Sequence, residues 1–213
     1  MLYLKQRFNI HPASPRTRDA FVAAADAVLP ASAAAGGRLV GAWFANEEWF
    51  SQIIHLTEFD DFAALDEWRQ QAASDDALGQ SLARLAELAP ERHEDLLEPL
   101  GPIGPEALQA TTAACQNEPV ETYTFAILEL EPGAEAPFTR MIDGVKDQLP
   151  IIASLRDVAG SPNRIIDLWK GDTARGGYRP TNDAMDAFFE PLRKLAARER
   201  MMRLFPLPYS PLR

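Results

Sequence analysis

The run from Leu2 to Ile10, with apolar Tyr3, Phe8 and Ile10 set among polar neighbours, predicts a strand closed by His11-Pro12. Ser14-Pro15 then supplies a capping oxygen and a first-turn proline, the start of a helix. Phe21, Val22, Ala25, Val28 and Leu29 form one apolar face, so this helix is expected to run to about Leu29, with an alanine-rich coil ended by Gly36-Gly37. Two apolar, aromatic runs, Arg38 to Ala45 and Trp49 to Glu58, flank a polar stretch at Asn46-Glu47-Glu48 and predict a β-hairpin. Asp60-Asp61 opens a second helix with Phe62, Leu65 and Trp68 on its apolar side. Ser74-Asp75-Asp76 restarts it with Leu78, Leu82 and Leu85 inward, and Pro90 stops it. Arg92 to Leu100 reads as a last, charged edge strand.

Strand, helix, strand, strand, helix, strand is the split β-α-β module. The chain then repeats it. Tyr123 to Leu130 with Pro132 echoes Tyr3 to Ile10 with Pro12, at an offset of 120 (123 − 3). Phe138, Met141, Ile142, Val145 and Leu149 make a helical face ending at Leu149-Pro150, as Leu29-Pro30 does in the first copy. Ala153 to Val158 and Asn163 to Trp169 form the second strand pair, and Asn163-Arg164-Ile165-Ile166-Asp167-Leu168 echoes Ser51-Gln52-Ile53-Ile54-His55-Leu56 at an offset of 112 (165 − 53). Pro208-Tyr209-Ser210-Pro211 echoes Pro102-Ile103-Gly104-Pro105. The modules are expected at residues 1–105 and 118–213, joined by an alanine- and threonine-rich linker with a short helix from Ala107 to Cys115. The changing offsets predict deletions in the second copy's hairpin and second helix. Each module alone would leave one apolar face of its sheet open to water, so the two sheets are expected to pack face to face.

The charge narrows the partners. The chain carries a formal −10, with 8 basic and 17 acidic side chains in residues 1–117 against 13 and 14 in residues 118–213. Such a field repels a phosphate backbone, so nucleic acid is not an expected partner. The cluster Arg193, Lys194, Arg198, Arg200 and Arg203 is read as cations meeting the dipole at a helix end. No apolar run is long enough to span a membrane, and charges interrupt the N-terminus where a signal peptide needs its apolar block, so membrane association is not expected and a cytoplasmic location is. Cys115 stands alone in the linker with no visible base and is expected to be inert.

With Ile54-His55-Leu56 after a tryptophan-containing strand, an acidic helix start at Asp60-Asp61 and the closing Leu207-Pro208-Tyr209-Ser210-Pro211-Leu212, the chain resembles the NIPSNAP family. The resemblance implies an α+β fold: two tandem ferredoxin-like βαββαβ modules forming a dimeric α/β-barrel-like pseudo-dimer within one chain. The family's third-strand pattern is His-Leu-Trp. The first copy keeps His55-Leu56 with Thr57 after it, and the second has Asp167-Leu168-Trp169. Other barrels of this fold bind haem, but no proximal ligand is identifiable, and no cofactor is expected.

His55 is the candidate catalytic residue, because strand alternation sets it with Trp49, Ser51, Ile53 and Thr57 on a face expected to line the barrel interior. A core histidine bonded to a neighbouring carbonyl is the competing reading. Trp43, Trp49 and Trp169, with Asp167, are candidate walls of a ligand pocket, but such tryptophans are more often simply core, and Trp43 and Trp49 on facing hairpin strands fit cross-strand packing without a ligand. The loop Gly171 to Pro180 carries Arg175, Tyr178 and Arg179, where two guanidinium groups could clamp an anion under a lid. His11 and His93 have no metal-ligand spacing to a partner, and no metal is expected. The expected function is binding of a small apolar or aromatic metabolite in the barrel between the sheets, with cofactor-independent oxidation as the catalytic form of that reading. A non-catalytic scaffold working through its outer helices is the alternative. Small-molecule binding is the expected partnership, and a homo-oligomer is compatible with the fold.

Overall fold

The computed structural model of the chain describes residues 1–10, 15–74, 76–161, 163–171 and 183–213. The first module runs β1 (Leu2–Asn9), α1 (Pro15–Ala34), β2 (Arg38–Ala45), β3 (Gln52–Phe59), α2 (Phe62–Ala72), α3 (Ala77–Leu88) and β4 (Glu91–Pro99). A linking helix, α4 (Pro105–Ala114), leads to β5 (Tyr123–Leu130), α5 (Glu135–Asp143), a 3-10 turn (Lys146–Gln148), β6 (Ile151–Asp157), β7 (Arg164–Lys170), α6 (Asp183–Leu195) and β8 (Ala196–Pro206). The fold is α+β, with two ferredoxin-like modules of the dimeric α/β-barrel type. Compact units are cut inside the last strand of each module: Met1–Leu96 with Phe205–Arg213 form one, and Leu97–Leu204 the other.

In the first unit, β1 pairs antiparallel with β3 and β3 with β2. The charged β4 runs beside β1, where Lys5 Nζ meets Asp95 Oδ2 at 2.8 Å. Helices α1, α2 and α3 cover one face, and their apolar sides close a core around Phe8, Phe21, Phe59, Leu65, Trp68 and Leu85. Capping sets the boundaries. Asp61 accepts from the Ala64 amide at the start of α2, and Asp76 from those of Leu78 and Gly79 at the start of α3, each such cap stabilising by about 1 kcal/mol.

Helix α1 continues past the expected stop at Leu29. Pro30 cannot donate to the Asp26 carbonyl, but both residues are exposed and water can satisfy that oxygen. The helix ends instead in a Schellman motif: Gly36, at φ +90°, donates to the Ala33 carbonyl, and Gly37 to that of Ser32. A side chain at Gly37 would collide with Ser32 Oγ and Trp68 Nε1, so glycine there permits the approach of α1 to α2.

The second unit repeats the plan. Strand β5 lies between β7 and β8, and β6 pairs with β7. Leu97, Glu98 and Pro99 of β4 add to the free side of β6, as Phe205 and Pro206 of β8 add to β2 in the first unit. Its core gathers Leu128, Leu130, Phe138, Ile142, Ile151 and Ile165.

Both units share one register. Phe8 stands opposite Ile53 and Leu128 opposite Ile165, while Trp43 stands opposite Ile54 and Leu155 opposite Ile166. Even the irregularity recurs, between Leu39 and Gly41 in β2 and between Ile151 and Ala153 in β6. The shared register corrects where the second copy is shortened. The connection from β2 to β3 matches that from β6 to β7 in length, so the hairpin has lost nothing. The stretch expected to be missing there follows the first helix instead: Pro150 leads straight into β6, whereas Pro30 is followed by the last turn of α1 and its glycine cap. The shortening expected at the second helix stands, the span from β7 to β8 being shorter than that from β3 to β4.

The expected helix-end cluster is also corrected. Arg193 and Lys194 lie in the last turn of α6, but Arg198, Arg200 and Arg203 lie on β8. Among the described residues, no helix is long and apolar enough to cross a membrane.

Candidate functional site

His55 sits in the middle of β3, opposite Gln6 of β1 and Ala42 of β2. Its face of the sheet turns toward the helices of its own unit, not toward the open side expected for a barrel interior. The imidazole lies edge-on to Phe8 at 5.0 Å between ring centres and near Phe21 of α1 at 6.3 Å. Its Nε2 is 2.7 Å from the Tyr209 hydroxyl. Burial lowers the His55 pKa to about 3, since a cation there would have no water around it. Burial likewise raises the pKa of Tyr209. The pair is therefore neutral at ordinary pH, and the phenol hydroxyl, the better donor, donates a hydrogen bond to Nε2.

The C-terminal segment delivers Tyr209. Leu207 and Leu212 donate their amides to the carbonyls of Ala42 and Val40, and Ser210 Oγ accepts from the Ala42 amide while donating to the Leu212 carbonyl. Leu100 makes the matching contact in the second unit, donating to the Ser154 carbonyl. Sequence reasoning found this motif as an echo but missed Tyr209 and Ser210 as working residues. Their signal was present: polar residues in the echo where the first copy has Ile103 and Gly104.

Beside His55 the space is nearly full. A void of about 20 Å³, enough for one water, is lined by Gln6, Ser32, Thr57 and apolar side chains of α1 and α3. Among the described residues, this void beside the imidazole is too small for a ligand.

The tryptophans do not assemble around it. Trp43 is fully buried opposite Ile54, hence on the other face of the sheet from His55. Trp49 lies outside β3, which starts at Gln52 rather than at Trp49, because Ser51 takes a left-handed turn at φ +66°. It is 55% exposed, and Phe50 71%, so Trp49 neither shares the His55 face nor packs across from Trp43. Trp169 is half-buried against the core of the second unit. Arg175, Tyr178 and Arg179 lie outside the described residues.

Asp167 holds the position in the second unit that His55 holds in the first. It is buried, and Ser154, the counterpart of Ala42, donates to its Oδ1 at 2.6 Å. Burial raises its pKa to about 7, partly countered by the Ser154 hydrogen bond and reinforced by the charge of Glu199. Glu199 is itself raised by burial.

A space of ligand size lies elsewhere in the first unit. Between α2, α3 and the start of β4 runs an open groove of about 470 Å³, within the range of small-molecule sites. One wall is the α3 face with Gly79, Leu82, Ala83 and Ala86 at helical spacing, and the other carries Trp68 and Ala72 of α2. Trp68 and Leu82 line both this groove and the small void, so they separate His55 from the outside. Trp68 is fixed by its indole N–H, which donates to Ser32 Oγ at 3.0 Å. Arg69, Arg92 and Glu94 border the groove.

Residues 8–101 match the model of the NIPSNAP family, from the end of β1 through β4, with the His55-Leu56 strand and the acidic cap of α2. The first module is a NIPSNAP domain. No curated protein matches the chain by sequence. Among solved structures, a candidate monooxygenase from Lactobacillus acidophilus is similar over 96% of this chain and 93% of its own, at 12% identity and a TM-score of 0.60. An anthrone oxidase-like protein is similar over 97% of this chain and 91% of its own, at 11% identity and a TM-score of 0.58. A haem-binding protein from Thermus thermophilus is similar over 98% and 92%, at 9% identity and a TM-score of 0.51. At these identities the NIPSNAP-domain chain shares their fold, and the likeness says nothing more.

A haem would need an imidazole free to ligate iron beside room for the macrocycle. His55 is held by Tyr209 with room for one water, and His93 is exposed and paired with Glu91 at 2.8 Å. Neither fits as an iron ligand facing a macrocycle. His11 lies outside the described residues.

Proposed function

We propose that this NIPSNAP-domain protein binds a small apolar or aromatic metabolite, and that the groove between α2 and α3 receives it. The observation that carries the reading is the contrast in space within one unit: about 470 Å³ along the groove against about 20 Å³ beside His55. An apolar body entering the groove would cover the accessible faces of Leu82, Ala83 and Ala86, and removing such surface from water contributes roughly 25 cal/mol per Å². The reading is one of binding. A neutral histidine sealed behind Trp68 is not positioned to take a proton from a molecule in the groove.

Nile red, an uncharged aromatic dye, tests it. Its fluorescence should rise on binding the intact protein and stay low with Ala83→Phe, in which an exposed alanine is replaced by a ring that fills the groove without entering the core. Equal binding by both proteins would show that the groove is not the binding site.

A further inference from the structure

The charged border of the groove specifies more than an apolar body. Glu94 of β4 carries the local negative charge and is tethered from the sheet side by Gln6, whose Nε2 donates to Oε1 at 2.9 Å. Two guanidinium groups share that one carboxylate: Arg69 of α2 lies 3.6 Å from Oε2, and Arg92 of β4 places Nε 3.4 Å from Oε1. Both ion pairs are longer than the Gln6 hydrogen bond, and the arginine side chains are half-exposed. The border therefore has one more positive than negative charge, in the half of the chain where acidic residues outnumber basic ones about two to one.

We propose that the ligand of this groove is a free monocarboxylate with an apolar body, such as a fatty acid or an aryl-alkyl acid. The inference rests on the binding reading above. A single carboxylate would balance the border charge and match the planar fork of a guanidinium with two parallel hydrogen bonds. A phosphate monoester, near two charges at neutral pH, would overcompensate beside Glu94. An ammonium head would face two cations for one anion. The apolar body would lie along Leu82, Ala83 and Ala86, whose small side chains leave the groove open. An anionic membrane surface is a poor alternative source of the head group, because the first half of the chain is strongly acidic.

Displacement of Nile red by dodecanoate, dodecanol, dodecylamine and dodecyl phosphate, each below its micelle concentration, tests the head-group rule. Dodecanoate is expected to bind at least tenfold more tightly than the other three, with only its advantage lost in Arg69→Gln/Arg92→Gln, a pair of exposed substitutions whose fold is checked by thermal melting. Equal affinity for dodecanoate and dodecanol, a preference for the phosphate, or an unchanged dodecanoate affinity in the double variant would overturn the inference and leave the groove reading standing. Preferential filling by an amphipathic helical peptide would also overturn it. Failure of Nile red itself to bind in an Ala83-dependent way would sink the groove reading first, which keeps the two failures apart.

Discussion

His55 Nε2 and the Tyr209 hydroxyl meet at 2.7 Å across 154 residues of chain, joining the middle of β3 to the C-terminal segment that lies along β2. The contact converts a residue that looked catalytic into a neutral, buried clasp. Tyr209→Phe would leave Nε2 buried without its partner, at a cost of about 1–3 kcal/mol. Chemical denaturation should register that loss, whereas His55→Phe/Tyr209→Phe together should recover part of it, because two apolar groups need no partner.

The same clasp predicts a pH dependence. The folded pKa of His55, about 3, lies below its unfolded value of about 6.5. The unfolded chain therefore binds the proton more readily, and the His55 contribution is intact above pH 6.5 and declines as pH falls toward 3. Melting temperatures between pH 7 and pH 4 should fall more steeply for the native protein than for His55→Phe.

Asp167 acts with the opposite sign. Its folded pKa of about 7 stands above the unfolded carboxylate value, so the folded chain holds the proton more tightly and this contribution to stability is present in full below about pH 4. It is lost as pH rises through 7. Asp167→Asn keeps a partner for Ser154 and should flatten the decline in melting temperature between pH 4 and pH 8.

Ser210 and Gly37 test how the first unit is held. Ser210→Ala removes the acceptor of the buried Ala42 amide and should cost about 1–3 kcal/mol. Gly37→Ala forces a methyl group against Ser32 and Trp68 and should cost a similar amount, about 1–3 kcal/mol by overpacking. Urea midpoints of both variants are the measurement. Only Gly37→Ala should also disturb Nile red binding, through Trp68.

The repeated module was legible in the chain because buried strands carry a short, dense signal. Ile53-Ile54 and Ile165-Ile166 could be aligned by eye, and their registers agree. Facing was less legible. Alternation shows that His55 and Trp43 lie on definite faces, but which face meets the helices depends on contacts with α1 and α3 that lie far away in sequence. Trp49 was misplaced because strand propensity does not register a single left-handed residue at Ser51. The groove left almost no trace in sequence. Its walls are alanines and a glycine, whose contribution is the space they do not fill, and Arg69, Arg92 and Glu94 meet only when α2 packs beside β4.

A backbone amide NMR map of the protein titrated with dodecanoate locates the bound ligand directly. Binding in the groove predicts shifts concentrated at Arg69, Ala72, Gly79, Ala83 and Ala86, with the His55 amide unmoved. Saturable shifts elsewhere that spare those amides would contradict it.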